Sequence, residues 1–233
     1  MPLSTTNSEP WSWVNFSSMD ILNPAINRYL NDLASNDDQT VLLEMEKRAE
    51  EYGFPIIGRL CGRVLELLAL AIGARRVFEM GSGYGYSAYW FSRAVGTSGE
   101  LHLTDMDPEN ERLALEYLRR ARLDAPVRYH VANAFDAFNE VGGEFDIVYC
   151  DINKDGYPQA WEAARSRVRV GGMFICDNML WSGRVTGESD QEDVNPGWTE
   201  AIDATNRAIE ADPGYRSVIV PIRDGVVAAL RVR

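Results

Sequence analysis

Two short stretches of this chain hold the residues best suited to chemistry. Cys150-Asp151-Ile152-Asn153-Lys154-Asp155-Gly156-Tyr157 and Cys176-Asp177-Asn178 each follow an apolar, β-like run. Asp151, Asp177 and Asn178 offer only oxygen donors, and no histidine stands near them. Hard divalent cations such as Mg2+, Mn2+ or Ca2+ favour such donors and keep positions open for water or substrate. Lys154 follows Asp151 by three residues. A lysine beside a dication is disfavoured as the ammonium, so its pKa should fall and it could act as a base. The alternatives are ordinary ones: helix N-caps, solvated acids, and a surface lysine at a helix start.

A third stretch is a glycine turn, Glu79-Met80-Gly81-Ser82-Gly83-Tyr84-Gly85-Tyr86-Ser87, at the end of an apolar run. Glycines there permit a tight bend and close approach of a ligand to the backbone. About twenty residues later comes Asp105-Met106-Asp107, where an acid can accept hydrogen bonds from ribose hydroxyls. The spacing is GxGxG, not the GxGxxG of a dinucleotide site, which needs its pyrophosphate at the helix N-terminus. S-adenosylmethionine has no phosphate and suits the turn better. An NAD-dependent oxidoreductase is the rival enzyme, but it leaves Asp151, Asp177 and Asn178 without a purpose. A non-catalytic adenosine-ligand sensor is the rival from outside enzymology.

Elements that would position these residues are legible in the periodicity. β-like runs fall at 76–80, 100–105, 127–132, 145–150 and 172–176, with helical segments near 86–95, 108–122, 157–168 and 197–211. Such alternation implies βαβ units and a mostly parallel sheet, with ligands outside the carboxyl ends of its strands. Two runs at 215–220 and 226–233, joined by Pro221-Ile222-Arg223-Asp224-Gly225, predict a closing hairpin. Helices near 23–35, 38–52 and 58–72 precede the first strand. The apolar residues Trp11, Trp13, Phe16 and Met19 are expected to pack on the body or to cap a substrate.

The chain has 233 residues and a formal net charge of −12, which argues against a nucleic-acid-binding face. No stretch approaches the roughly 18 uncharged apolar residues of a membrane helix, and no secretory signal is expected at the N-terminus. Cys61, Cys150 and Cys176 form no CxxC and fit a reducing cytoplasm, the two latter as buried strand residues. His102 and His130, the two histidines, fall in strand-like runs, which argues against a histidine-based centre.

Together the motifs resemble the cation-dependent class I O-methyltransferases, the group that includes catechol O-methyltransferase and caffeoyl-CoA O-methyltransferase. The segments that carry the resemblance are VFEMGSGYGYSA (77–88), LTDMDPE (103–109), DINKDGY (151–157), DNMLWSGRV (177–185) and PIRDGVV (221–227), in the family's order. The resemblance implies a Rossmann-like α/β fold in one domain over 1–233. Its sheet would be mostly parallel and seven-stranded, with a C-terminal antiparallel hairpin and helices on both faces. Residues 1–72 would form a helical segment over the site or a dimer interface. It also implies S-adenosylmethionine and Mg2+, methylation of one hydroxyl of a vicinal aromatic diol, and a homodimer; a non-catechol hydroxyl acceptor is the alternative.

By motif position the metal ligands would be Asp151, Asp177 and Asn178, and the base Lys154. Glu79, Gly81, Ser82, Gly85, Tyr86, Ser87, Asp105 and Met106 would contact the cofactor, with Ala134 and Phe135 at the adenine edge and Asp151 beside it. Trp181, Lys154 and Asn178 would meet the acceptor, and Trp181 is closer to the caffeoyl-CoA type.

Overall fold

The computed structural model describes residues 21–35, 40–189, 193 and 195–233. Trp11, Trp13, Phe16 and Met19 lie outside the described residues, and so do the first two positions of the helix expected at 38–52. Eight α-helices and seven strands follow one another in the described chain: α1 Pro24–Ala34, α2 Thr40–Tyr52, α3 Gly58–Ala71, β1 Arg76–Met80, α4 Tyr86–Val95, β2 Glu100–Asp105, α5 Pro108–Arg120, β3 Val127–Val131, α6 Ala134–Val141, β4 Phe145–Cys150, α7 Tyr157–Ala164, β5 Val168–Cys176, α8 Trp198–Ala211, β6 Tyr215–Val220 and β7 Val226–Arg231. The sheet order is β3-β2-β1-β4-β5-β7-β6. All pairs are parallel except those of β7, which runs antiparallel to both β5 and β6.

The sheet explains its own sequence. β1 and β4 sit at its centre and are buried on both faces, so they read as continuous apolar runs. β6 at one edge alternates. One face packs Leu42, Leu65, Trp90, Phe91 and Leu113 of α2 to α5 against Ile147 and Ile175. The other packs Phe138, Trp161 and Ile202 of α6, α7 and α8 against Phe78, Val148 and Phe174. Cys61, Cys150 and Cys176 are free and buried. No helix among the described residues is long and apolar enough to cross a membrane.

Three elements differ from the periodicity. α6 is not signalled, because eight residues are too few to show a helical stripe; its one local cue is Asn133, whose side chain accepts from Phe135 N and caps the helix. β5 begins four residues earlier than the apolar run suggests, since Val168–Val170 pair with the sheet through a register shift opposite Phe145 and Ile147. α7 stops correspondingly early, at Ala164. α5 is more fully announced: Asp107 caps it, Pro108 opens it, Glu109 and Glu111 sit in its first turn and Arg119 and Arg120 in its last.

The N-terminal helices dock on the glycine turn. Tyr84 donates its hydroxyl to Met45 O at 2.9 Å, and Tyr86 to Glu46 at 2.8 Å. Arg59 clasps the same Glu46 with two nitrogens, at 2.7 and 2.8 Å. The link from α3 to α2 is thereby anchored to the start of α4.

Candidate active site

The strand order reverses between β1 and β4, with β2 and β3 on one side and β5 and β7 on the other. Carboxyl-end loops diverge at such a point and leave a crevice. A cavity of about 990 Å³ opens there. It is lined by residues after β1 (Gly81, Ser82, Tyr86, Ser87), β2 (Asp105, Met106), β3 (Ala134, Phe135), β4 (Asp151, Lys154) and β5 (Asp177, Asn178, Trp181). All but two of the residues singled out from sequence therefore line one cavity. Glu79 and Gly85 are the exceptions and stand behind its wall.

At the centre is Lys154, which is 8% exposed. It begins a short 3-10 turn, Lys154–Gly156, that runs directly into α7. Its Nζ donates to Asn178 Oδ1 at 2.6 Å, Tyr157 OH at 2.8 Å, Asp151 Oδ1 at 3.0 Å and Ile152 O at 3.2 Å. The Tyr157 hydroxyl in turn donates a hydrogen bond to Asp177 O at 2.9 Å. One ammonium thus joins the loop after β4 to the loop after β5. Burial alone would lower the pKa of Lys154, but the charges of Asp151 and Asp177 outweigh it, and the net direction is upward. The fall expected for a lysine beside a dication concerns a different occupant of the same oxygens.

Asp177 is 2% exposed, and its Oδ1 is buried with no hydrogen-bond partner. Burial first, then the nearby Asp151 charge, pushes its pKa up to about 7. Asn178 adopts a left-handed backbone with φ 59°, which asparagine tolerates better than most residues. Among the described residues no three His, Cys, Asp or Glu side chains cluster as a metal site; here the third donor is an amide. An orphaned buried carboxylate oxygen beside a second carboxylate and an amide oxygen fits a hard divalent cation.

At the β1–β2 end, amides of the glycine turn meet side chains of β2. Gly81 N donates to Thr104 Oγ1 at 3.2 Å, and Gly83 N to Asp105 Oδ2 at 3.2 Å. Asp105 Oδ1 accepts from Asp107 N at 2.9 Å and Asn110 Nδ2 at 3.1 Å. Gly81 has φ 84°, and a Cβ on it would lie 2.3 Å from Asp151 O. Its glycine is required by the neighbouring strand's backbone as well as by the turn. Behind the turn, Glu79 is fully buried and accepts from Ser87 Oγ. Desolvation pushes its pKa up to about 8.

The remaining wall escaped the sequence reading. Phe54, Ile56 and Ile57 line it from the link before α3, with Arg223 bonded to Ile56 O, and Trp198 lines it from the start of α8. The rings of Trp181 and Trp198 lie 5.7 Å apart. Asp193 fixes them: it accepts from Trp181 Nε1 at 2.9 Å and from Thr199 N at 2.8 Å, and its pKa is held below the usual value by these bonds against burial. No local motif marks Phe54 or Trp198; only the tertiary fold brings them here.

These features agree with known proteins. A model of the O-methyltransferase family matches residues 32–232, and the chain belongs to that family. It is 29% identical over 195 residues to a catechol O-methyltransferase of Niastella koreensis, covering 80% of this chain and 88% of that one. It is 26% identical over 180 residues to caffeoyl-CoA O-methyltransferase 2 of Populus trichocarpa, covering 74% and 73%. Among solved structures, the cofactor-bound Rv0187 protein from MTB superposes with a TM-score of 0.78 at 27% identity, over 90% of this chain and 97% of that one. The chain is an O-methyltransferase, and the oxidoreductase and sensor alternatives fall away.

Proposed function

We propose that this O-methyltransferase moves the methyl group of S-adenosylmethionine to one hydroxyl of a catechol-type aromatic diol, with a divalent cation such as Mg2+ held by Asp151, Asp177 and Asn178. The observation that carries this is the buried, unpartnered Oδ1 of Asp177, next in sequence to Asn178, whose Oδ1 shares the Lys154 ammonium with Asp151 Oδ1. The names of the relatives support the acceptor class. The resemblance supports a homodimer and a single catalytic domain.

The acceptor oxygen must lose a proton and stand in line with the sulfonium methyl. When bound, the cation would supply chelation of both diol oxygens and a lower pKa for the reacting hydroxyl. Lys154 Nζ lies 2.6 Å from Asn178 Oδ1 and 3.0 Å from Asp151 Oδ1, and as the neutral amine that a dication on those oxygens would favour it would take the proton. Tyr157 holds Lys154 from below and fixes where its Nζ points. Asp105 would accept from the ribose hydroxyls beside the glycine turn, with Met106, Ala134 and Phe135 around the base. Phe54 and the Trp181–Trp198 pair exclude water from the acceptor ring. Incubating the protein with S-adenosylmethionine and a panel of catechols, with Mg2+ or with chelator, tests this by mass spectrometry. Mg2+-dependent monomethylation is expected; undiminished methylation under exhaustive chelation would remove the metal from the proposal.

A further inference from the structure

Only two cationic side chains line the cavity among the described residues, Lys154 and Arg223, against five aspartates. Lys154 is spent on the oxygens of Asp151 and Asn178. Arg223 stands at the tip of the β6–β7 hairpin with φ 47°. That is the left-handed region, which disfavours any side chain with a Cβ. The hairpin turn alone would be better served by glycine, so the side chain earns its place by what it touches.

Two things define its position. Arg223 donates Nη1 to Ile56 O, in the segment that walls the cavity. It also lines the same cavity as Asp151, Asp177 and Asn178. Among the described residues its other nitrogens have no hydrogen-bond or ion-pair partner, and the residue is exposed. With Nη1 directed at a carbonyl, the Nε–Nη2 edge remains, and this edge matches the two oxygens of a carboxylate.

Sheet order gives the neighbours of that edge. The glycine turn follows β1, Asp105 ends β2, Asp151 follows β4, and Asp177 and Asn178 follow β5. Arg223 precedes β7, the next strand in the sheet after β5. Its tie to Ile56 O sets it on the wall formed by Phe54, Ile56 and Ile57, the side on which the acceptor ring is placed above.

We propose that Arg223 is a specificity-determining residue that binds a carboxylate on the acceptor, so that the preferred substrates are anionic aromatic diols. This rests on the diol reading given above. The closest matched probes are 3,4-dihydroxybenzoate and its neutral isostere 3,4-dihydroxybenzamide, compared in the wild type, Arg223→Met and Arg223→Lys. The wild type should favour the carboxylate in kcat/KM by roughly threefold to tenfold, the range of a charge-assisted contact at an exposed site. Arg223→Met should abolish that ratio, and Arg223→Lys should keep part of it, since the charge stays but the fork is lost.

Calorimetry supplies a readout free of turnover: 3,4-dihydroxybenzoate titrated into the full chain with Mg2+ and S-adenosylhomocysteine should bind more weakly to Arg223→Met than to wild type. Equal ratios in wild type and Arg223→Met, with melting temperatures showing both folded, would overturn the proposal. A change confined to the KM of S-adenosylmethionine would also overturn it, by assigning Arg223 to the donor's own carboxylate. If neither diol is methylated, the diol reading fails instead, and the calorimetric comparison still decides whether Arg223 binds a carboxylate.

Discussion

At the β1–β2 end of the cavity, the amides of the glycine turn are held by the neighbouring strand. Gly81 and Gly83 donate their amides to Thr104 and Asp105, Ser82 N donates to Thr104 O at 2.7 Å, and Asp105 is further tied by Asp107 and Asn110. At the β4–β5 end, four side chains hold one another through one buried ammonium, and one carboxylate oxygen is left without a partner. Glu79 Oε2, behind the glycine turn, is likewise buried without a partner, but the amides facing the cavity are paired, and such a cradle suits a ligand that is bound in the same pose every turnover. A charged cluster with an orphaned oxygen is costly to bury and persists where the chemistry uses it. The two ends should therefore fail differently: substitutions at the first should show up in folding, and at the second in catalysis.

The largest effect should come from Asp177→Ala. Loss of that ligand is expected to reduce Mg2+-dependent kcat/KM by on the order of 10³-fold, several kcal/mol of transition-state stabilisation, while the melting temperature holds or rises because an unpartnered buried acid has gone. A variant that melts far below wild type would erase the contrast between the two ends. Lys154→Ala should follow, with kcat down by about 10²-fold or more and acceptor affinity changed little. Single-turnover and steady-state rates separate the two, and near-full turnover at neutral pH would remove Lys154 as the base.

Gly81→Ala probes the other end. Its Cβ would meet Asp151 O at 2.3 Å at a φ of 84°, so a loss of about 2 kcal/mol is expected in denaturant unfolding. Glu79 gives a pH signature. Its carboxyl is pushed up to about 8 from an ordinary 4.5, so between those values the folded state holds a proton that the unfolded state has released. Stability contributed by this group is present in acid and declines as pH rises through that window, by at most roughly 1.4 kcal/mol per pH unit. Glu79→Gln should flatten the slope in denaturant curves taken across the window; an unchanged slope would show that Glu79 ionises as if exposed. The smallest effect is expected for Asp193→Ala, which frees Trp181: acceptor KM should rise about threefold to tenfold with kcat nearly constant, accompanied by a shift in tryptophan emission.

The chemistry was more legible than the walls that surround it. Asp151, Lys154, Asp177 and Asn178 follow strands whose apolar runs are unmistakable, and a parallel sheet sends all such strand ends to one edge. The same logic located Gly81 and Asp105. Phe54, Trp198 and Asp193 were invisible because they come from a helix link and from the approach to α8, where no periodicity constrains position. Arg223 was seen as part of a turn, and only its φ and its bond to Ile56 O give it another role. α6 was missed for want of length, although it presents Ala134 and Phe135 to the cavity.

Cys150 and Cys176 are register partners on adjacent parallel strands, and Asp177 N donates to Cys150 O at 3.1 Å. Each cysteine is followed at once by a proposed ligand. The separation of Asp151 from Asp177 is thereby written into the pairing of two central strands, and a one-residue slip would turn both acids away together. The walls at 54–57, 181–186 and 195–198, proposed to face the acceptor, lie outside the strands and have no such attachment to the ladder. They form an exchangeable part: grafting those loops from a relative should transfer acceptor preference while the spacing of the reacting groups stays as the sheet dictates.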